Sequence, residues 1–154
     1  MNSESRNIQP PQIVVTGAAG FIGRRVVARL ALAGAKVVAV DRIRGPLDFP
    51  PGVECRCCDL RKGPPNLAGD CVVVHLAWNM DRGNMEAQAA SVSDFSRLLE
   101  QSGVRSLVAL GSAEEYGELE GQLNEGMVPK RPLHSYGRAK SEARKLLEGW
   151  SRGA

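Results

Sequence analysis

At 154 residues the chain is long enough for one domain with a sizeable core and too short for two ordinary ones. Hydrophobic residues make up 43% and charged residues 24%, the balance of a soluble globular protein. No apolar run approaches the roughly 20 residues that span a bilayer, and the polar start has no secretory signal, so we expect a cytoplasmic protein. The net charge of +3 is scattered and aromatics are only 5%, which does not predict nucleic-acid binding.

Residues 1–11 are polar, and we interpret them as a flexible leader to a single domain over residues 12–154. In that domain, apolar runs of β character alternate with segments of helical spacing. The predicted elements, in chain order, are a strand at 12–16, a helix at about 20–33, strands at 36–40, 53–57 and 71–75, a helix at 84–102, a strand at 105–110 and a helix at 134–150.

The valine-rich strands are apolar runs without clean alternation, which predicts a sheet covered on both faces. Their alternation with helices predicts an α/β fold with a doubly wound parallel sheet, Rossmann-like in architecture. The glycine at position 34 stands where a helix end favours one. The connection over 113–133 is long for a compact domain, which favours a functional segment.

The four cysteines do not form a metal-binding pattern. Cys57 and Cys58 are adjacent, Cys55 is close by and Cys71 stands apart, whereas zinc sites use spaced pairs of ligands. The two histidines lie in unrelated segments. We therefore predict no metal site and interpret the cysteines as buried thiols on strands.

A glycine-rich turn follows the first predicted strand directly. It reads Gly17-Ala18-Ala19-Gly20-Phe21-Ile22-Gly23 and opens an amphipathic helix. In this context, glycines let the backbone approach a pyrophosphate, whose charge then lies at the helix N-terminus, and Gly23 lets the helix pack close to the strand. The alternative is that the glycines serve only to make a tight turn. The pattern favours a dinucleotide site.

Asp41 closes the second predicted strand, about 20 residues after the turn, where an acid accepts hydrogen bonds from the adenosine ribose. A carboxylate there repels a ribose phosphate, which favours NAD over NADP. Arg42 and Arg44 weaken that preference because an arginine at this edge can receive the phosphate. An ordinary solvated acid at a strand end is the alternative interpretation.

Tyr136 and Lys140 stand four residues apart at the start of the last predicted helix and therefore share one face. A neighbouring ammonium favours the phenolate form of a tyrosine, so this pair is suited to acid–base work. Ser112, just after the fifth strand, would polarise a substrate alcohol or carbonyl. The Tyr-x3-Lys spacing is common by itself, and its weight here comes from its place after the dinucleotide turn.

Together these segments resemble the extended short-chain dehydrogenase/reductases, and within them the NAD-dependent epimerase/dehydratase family that acts on sugar nucleotides. The resemblance covers about residues 12–148 in family order. Its matching segments are Val15-Thr16-Gly17-Ala18-Ala19-Gly20-Phe21-Ile22-Gly23, Asp41, Asp59-Leu60, His75-Leu76-Ala77, Gly111-Ser112-Ala113-Glu114-Glu115-Tyr116-Gly117 and Tyr136-Gly137-Arg138-Ala139-Lys140.

The resemblance implies a role for each matching position. Tyr136 would be the acid–base residue, Lys140 its partner, which also bonds the nicotinamide ribose, and Ser112 the hydroxyl that orients the substrate. It further implies NAD as cofactor and a nucleotide sugar as substrate, with a hydride moved between sugar and nicotinamide. The implied cofactor-binding positions are Gly17, Gly20, Phe21, Ile22 and Gly23 at the pyrophosphate, Asp41 and Arg42 at the adenosine ribose, Asp59 and Leu60 at the adenine, and Leu76 and Ala77 after the fourth strand.

The chain also departs from the family pattern. Trp78 stands where His-Leu-Ala-Ala has its second alanine, and Ser91 stands where an asparagine is usual. Family members continue into a C-terminal lobe that binds the sugar nucleotide, whereas this sequence ends at Ala154. We therefore expect a truncated product or a protein without that lobe, with a non-catalytic NAD(P)-binding module or a fragment with an exposed apolar sheet edge as alternatives. Related enzymes often dimerise through helices equivalent to 84–102 and 134–150, which allows a homodimer.

Overall fold

The computed structural model describes residues 11–43, 48–67, 69–101, 103–118, 121–127 and 130–152. In these ranges no helix combines the length and the apolar character needed to cross a membrane. The elements in chain order are β1 (Gln12–Thr16), α1 (Phe21–Leu32), β2 (Val37–Asp41), β3 (Glu54–Cys57), a short 3₁₀ helix (Leu60–Lys62), β4 (Cys71–His75), α2 (Met85–Leu99), β5 (Val104–Ala109), a second 3₁₀ helix (Ala113–Tyr116) and α3 (Ser135–Arg152).

The strands form one sheet in the order β3-β2-β1-β4-β5, and every described pairing is parallel. Val14 of β1 lies opposite Val38 of β2 on one side and Val73 of β4 on the other. The chain first builds outward from β1 to β3 and then crosses to β4, which makes the gap between β1 and β4 the topological switch point. The predicted doubly wound α/β fold is confirmed.

The helices lie on opposite faces of the sheet. Val15, on one face of β1, packs with Val27 of α1, whereas Val14, on the other face, packs in a cluster with Leu98 of α2. Helix α3 completes that second layer, where its Ala143 joins Phe95 of α2. Alternate residues of β1 therefore bury into two different layers, which explains why its sequence is an unbroken apolar run.

The prediction that both faces of the sheet are covered is right for β1 and β2 but wrong for β5. Leu107 of β5 packs under α2 and α3, whereas its neighbour Val108 points to the α1 side and is 58% exposed. Helix α1 follows β1 and covers β1 and β2, and among the described residues no helix lies over β5 on that side. Strand β5 is thus covered by helices on one face only.

The interpretation of the cysteines is also wrong in part. Cys71 on β4 is buried and Cys58 is half-buried, but Cys55 and Cys57 are exposed. Strand β3 is the outermost strand beside β2, and the side chains of Cys55 and Cys57 lie on the α1 side, beyond the reach of that helix. The exposure of these two side chains depends on the position of β3 in the sheet, which the sequence pattern does not indicate.

Predicted and observed boundaries differ by three residues at most where the structure describes them. Gly34 adopts a φ of +80° directly after the end of α1, as a helix-terminating glycine does. The predicted leader, except residue 11, and the predicted helix end at Ser102 lie outside the described residues. The connection after β5 begins with the 3₁₀ helix Ala113–Tyr116.

Candidate cofactor and active site

The glycine turn connects β1 to α1 and leaves no space for side chains at two of its glycines. Gly17 has a φ of +69°, and a Cβ there would lie 2.6 Å from the backbone nitrogen of Ala77. A Cβ on Gly23 would lie 2.1 Å from the carbonyl oxygen of Gly17. Since backbone atoms occupy both places, the turn requires glycine there for steric reasons.

The amino end of α1 is open to a ligand. Gly20 is the N-cap residue and provides no side-chain cap, and the first turn holds no acidic residue. The first N–H groups of a helix lack partners within it, so this end carries a partial positive charge. Phe21 is 78% exposed and Ile22 42% exposed, which leaves the same end accessible. These features are those of an anion site.

Asp41 lies at the end of β2, beside the turn. Its Oδ2 accepts a hydrogen bond of 2.9 Å from the backbone N–H of Ala19, and its Oδ1 accepts one of 3.2 Å from that of Ile43. The carboxylate thus joins the second strand to the glycine turn. Arg42 follows as an exposed residue at the same edge, so both predicted adenosine-site residues lie next to the turn.

Asp59 and Leu60 follow β3 at the same edge. Asp59 caps the 3₁₀ helix Leu60–Lys62 and pairs with Arg61 at 2.6 Å. The hydrogen bonds from the Arg61 guanidinium lower the pKa of Asp59 to about 2. Leu60 accepts a bond from the Arg97 guanidinium of α2 through its carbonyl oxygen. The sequence indicated that Asp59 and Leu60 follow the third strand. It did not indicate that Arg61 pairs with Asp59 or that Arg97 bonds to Leu60.

The ends of β1 and β4 are joined at the switch point by a buried polar contact. Thr16 Oγ1 lies 2.8 Å from His75 Nδ1, and Thr16 also accepts the backbone N–H of Leu76 through its carbonyl oxygen. Burial, and secondarily the charge of Lys140, lowers the pKa of His75 to about 3, so its ring is neutral. Leu76 and Ala77 lie directly against the glycine turn, since a Cβ on Gly17 would meet their backbone atoms; their role as cofactor-lining residues stays a prediction.

Tyr136 and Lys140 lie on the buried side of the first turns of α3. The Lys140 ammonium donates a 2.9 Å hydrogen bond to the carbonyl oxygen of Leu110, just after β5, and lies 5.9 Å from the centre of the Tyr136 ring. Burial lowers the pKa of Lys140 to about 8, although the Glu115 carboxylate opposes that shift. The Arg82 guanidinium lies over the Tyr136 ring at 4.8 Å. The predicted pair is thus brought together, with Arg82 as a second cation that the sequence did not indicate.

Ser112 begins the 3₁₀ helix Ala113–Tyr116, and its Oγ accepts the backbone N–H of Glu114. That helix lies directly against the start of α3, because a Cβ on Gly137 would lie 2.5 Å from the Glu114 carbonyl oxygen. This contact places the 3₁₀ helix that follows Ser112 next to the first turn of α3, which carries Tyr136. The three predicted catalytic residues therefore belong to one corner of the molecule.

Three residues of α2 and the loop after β4 support this corner. Trp78 Nε1 donates a 2.8 Å bond to Gln88 Oε1, and the Gln88 amide donates to the carbonyl oxygens of Asn79 and Asp81. Ser91 Oγ accepts the backbone N–H of Asn79 at 3.3 Å. The sequence singled out Trp78 and Ser91 only as departures from a pattern, and nothing in it indicated Gln88.

A cleft of about 820 Å³ lies between the loop after β4 and the start of α3, where Ser135 is one of its lining residues. The charged residues in its lining are Arg82, Arg138 and Glu114, and Glu114 pairs with Arg82. Among the described residues, no group of three or more His, Cys, Asp and Glu side chains is placed to hold a metal ion.

The sequence profile of the NAD dependent epimerase/dehydratase family matches residues 13–154. No curated protein matches the sequence significantly. Among solved structures, a UDP-galactose 4-epimerase is similar with a TM-score of 0.80 and 30% identity, over 92% of this chain and 52% of that one.

Two further structures extend the likeness. MoeE5 in complex with UDP-glucose and NAD has a TM-score of 0.76 and 33% identity, over 91% of this chain and 49% of its own. The UDP-glucuronic acid 4-epimerase of Bacillus cereus in complex with NAD has a TM-score of 0.74 and 25% identity, over 92% and 52%. The chain thus spans about half the length of the solved structures that it matches.

Proposed function

Because the chain belongs to the NAD dependent epimerase/dehydratase family, we propose that it binds NAD across the carboxyl edge of the sheet, with the pyrophosphate on the glycine turn. The observation that carries this proposal is the packing of the glycine turn: protein backbone fills the places where Gly17 and Gly23 would carry a Cβ, and the tight turn sets the uncapped amino end of α1 at the carboxyl edge of the sheet, where a pyrophosphate would lie. The uncapped end of α1 supplies N–H groups for the phosphate oxygens.

The adenosine half of the cofactor would lie over the ends of β2 and β3. Asp41 is held there by the Ala19 N–H and would accept hydrogen bonds from the ribose hydroxyls with its remaining lone pairs. Its charge favours NAD over NADP, and Arg42 is the neighbouring group that would weaken that preference. Asp59 and Leu60 would border the adenine, and Leu76 and Ala77 the middle of the cofactor.

We further propose that the protein moves a hydride between a nucleotide sugar and the nicotinamide. Bound NAD would supply the hydride acceptor and return the hydride. Tyr136 would act as the phenolate, which the ammonium of Lys140 would stabilise, and would become a neutral phenol when its oxygen takes the proton from the sugar hydroxyl. Ser112 would hold the sugar oxygen through its hydroxyl. Binding of NAD without turnover, by a non-catalytic module, is the alternative.

Thermal unfolding with and without the dinucleotides tests the binding proposal. Millimolar NAD at about 100 times its Kd would stabilise the native state by about 2.7 kcal/mol and raise the Tm. NADP should raise the Tm less than NAD does. In Asp41→Asn, the rises in Tm with NAD and with NADP should be closer to each other. An unchanged Tm with both dinucleotides would refute cofactor binding and every functional proposal that depends on it.

Substitution of the two tyrosines tests the chemistry. Tyr136→Phe should abolish transfer of deuterium between labelled NADH and an oxidised nucleotide sugar while leaving the NAD-induced rise in Tm intact. Tyr116→Phe is the matched control, because Tyr116 is also buried and its hydroxyl contacts only Arg144 among the described side chains. Equal transfer rates in the two variants would exclude Tyr136 as the acid–base residue. Binding without transfer in the unmodified protein would favour the non-catalytic alternative.

A further inference from the structure

We propose that Trp78 is a positioning residue for Lys140, whose ring fixes the lysine ammonium at the end of β5 and keeps it protonated in a buried site. The inference deepens the proposed function, because it takes Lys140 as the partner of Tyr136. Trp78 stands where the family pattern has a small alanine, so the device belongs to this chain's own sequence.

Lys140 is held from two directions. Its Nζ lies 3.7 Å from the centre of the Trp78 ring, and it donates a 2.9 Å hydrogen bond to the Leu110 carbonyl oxygen. The residue is only 6% exposed, so little water remains to solvate the charge. An aromatic face and a carbonyl oxygen together replace the solvent that burial removes.

The Trp78 ring is itself fixed in place. Its Nε1 donates to Gln88 Oε1, and Gln88 is 1% exposed, with its amide bonded to the carbonyl oxygens of Asn79 and Asp81. The ring also packs against the cluster that Phe95 of α2 forms. A ring with a fixed hydrogen bond and fixed packing presents one face to the ammonium at little entropic cost.

The charges around Lys140 show why the ring matters. Burial pulls the pKa of Lys140 down to about 8, and Glu115 of the 3₁₀ helix Ala113–Tyr116 opposes that shift. From β4 the facing group is His75, which is neutral, and on α3 it is Tyr136. A desolvated cation–π contact favours the charged amine about tenfold or more, equivalent to about one pH unit. Replacing the ring by an aliphatic side chain should therefore lower the pKa of Lys140.

Trp78 can report on this contact directly, because the chain has only two tryptophans, at positions 78 and 150. In a Trp150→Phe protein, the emission of Trp78 should change between pH 6.5 and 9.5 with a midpoint near the Lys140 pKa of about 8. That transition should vanish when Lys140→Met is added. No transition, or one that persists in the Lys140→Met protein, would overturn the proposal. This measurement keeps Trp78 in place and needs no Trp78 variant to fold.

The second measurement follows the Lys140 ε-carbon by NMR in ¹³C-lysine protein, with Lys140→Met used to assign the signal. Trp78→Leu should lower its titration midpoint by about one pH unit, and Trp78→Phe, which keeps a weaker aromatic face, by less. Trp150→Leu is the matched control and should leave the midpoint unchanged. An unmoved or raised midpoint in Trp78→Leu, or an equal fall in Trp150→Leu, would overturn the assignment.

Both titrations use the protein alone, so they stand whether or not NAD binds. In the presence of NAD and a nucleotide sugar, the alkaline limb of the kcat profile should move to lower pH in Trp78→Leu by the same amount. An unmoved limb, together with loss of transfer in Tyr136→Phe, would overturn the positioning role and leave the proposed function in place.

Discussion

The two sides of the switch point hold their functional groups by different means. On the β2 side, the predicted cofactor turn is packed through backbone atoms: Gly23 lies against Gly17, six residues away in the chain, and Gly17 lies against Ala77 across the switch point. On the β4 side, side chains from distant segments make the contacts: Thr16 reaches His75 across 59 positions and Lys140 reaches Leu110 across 30. One side is built by close packing of backbone atoms and the other by buried polar side chains.

This difference predicts different weaknesses. A close-packed backbone turn should fail when atoms are added to it, and the packing at Gly17 and Gly23 should not depend on pH because it is made by backbone atoms, which do not titrate. The β4 side contains a buried imidazole and a buried ammonium, both of which burial pushes toward their neutral forms. We expect that side to respond to pH and to tolerate small changes of volume better.

The largest effect should come from acid acting on His75. Its pKa in the folded state is about 3, below the 6.5 of an unperturbed histidine. As the pH falls below 6.5, His75 becomes protonated in the unfolded chain but stays neutral in the native state down to about pH 3. The free energy of unfolding therefore falls between these two pH values. By pH 3.5 the loss reaches about 4 kcal/mol, at about 1.36 kcal/mol for each pH unit below 6.5.

Urea unfolding between pH 7 and pH 3.5 measures that loss. His75→Asn keeps a polar atom near Thr16 Oγ1 but does not titrate, so its free energy of unfolding should fall by less than that of the unmodified protein over the same range. If the free energies of unfolding of the two proteins fell equally with pH, the imidazole would not be a buried neutral group, and the expected pH response of the β4 side would be contradicted.

The next effect concerns Gly23 on the β2 side. In Gly23→Ala the new methyl group would lie 2.1 Å from the Gly17 carbonyl oxygen and 2.8 Å from the Ala18 Cα, so α1 must move away from the turn. We expect the free energy of unfolding to fall by about 3 kcal/mol, with no dependence on pH.

The matched control is Gly149→Ala in α3, where an added Cβ meets nothing within 4 Å. Replacing a helical glycine by alanine should stabilise the protein by about 0.5–1 kcal/mol. Denaturant unfolding of both variants gives the sign directly. A Gly23→Ala protein as stable as Gly149→Ala would contradict the steric account of the turn.

The smallest effect should come from Asn84, which caps α2 by accepting the Ala87 N–H at 3.0 Å. Asn84→Ala should lower the free energy of unfolding by about 1 kcal/mol, since a helix N–H loses its partner. Asn84→Asp, which keeps the acceptor, should restore most of it. A loss above about 3 kcal/mol would mean that α2 depends on its cap more than on its packing with α3.

The sequence predicted the fold, the glycine turn and the edge on which the candidate site lies. These features depend on short-range rules: which residues fit a positive φ, which face a helix presents, and where parallel strands end. The roles of Asp41, Ser112, Tyr136 and Lys140 stay predictions, and the structure shows only where these side chains lie.

What the sequence did not predict depends on strand order and on distant partners. The exposure of Cys55 and Cys57 follows from β3 being the outermost strand, and that of Val108 from the position of β5 at the opposite end of the sheet. Trp78 contacts Lys140, and Gln88 bonds to the loop after β4, only once α2 and α3 have packed. No periodicity in the chain encodes those contacts.

The position of β1 has a consequence for hydrogen exchange. Strand β1 is hydrogen-bonded to a strand on each side, whereas β3 and β5 each have one described partner. Amide protons of β1 should exchange only when the whole domain unfolds, and those of β5 through cheaper local openings. The predicted cofactor turn therefore extends from the most protected strand, while Ser112 follows one of the least protected, so the proposed catalytic corner can loosen while the turn stays formed.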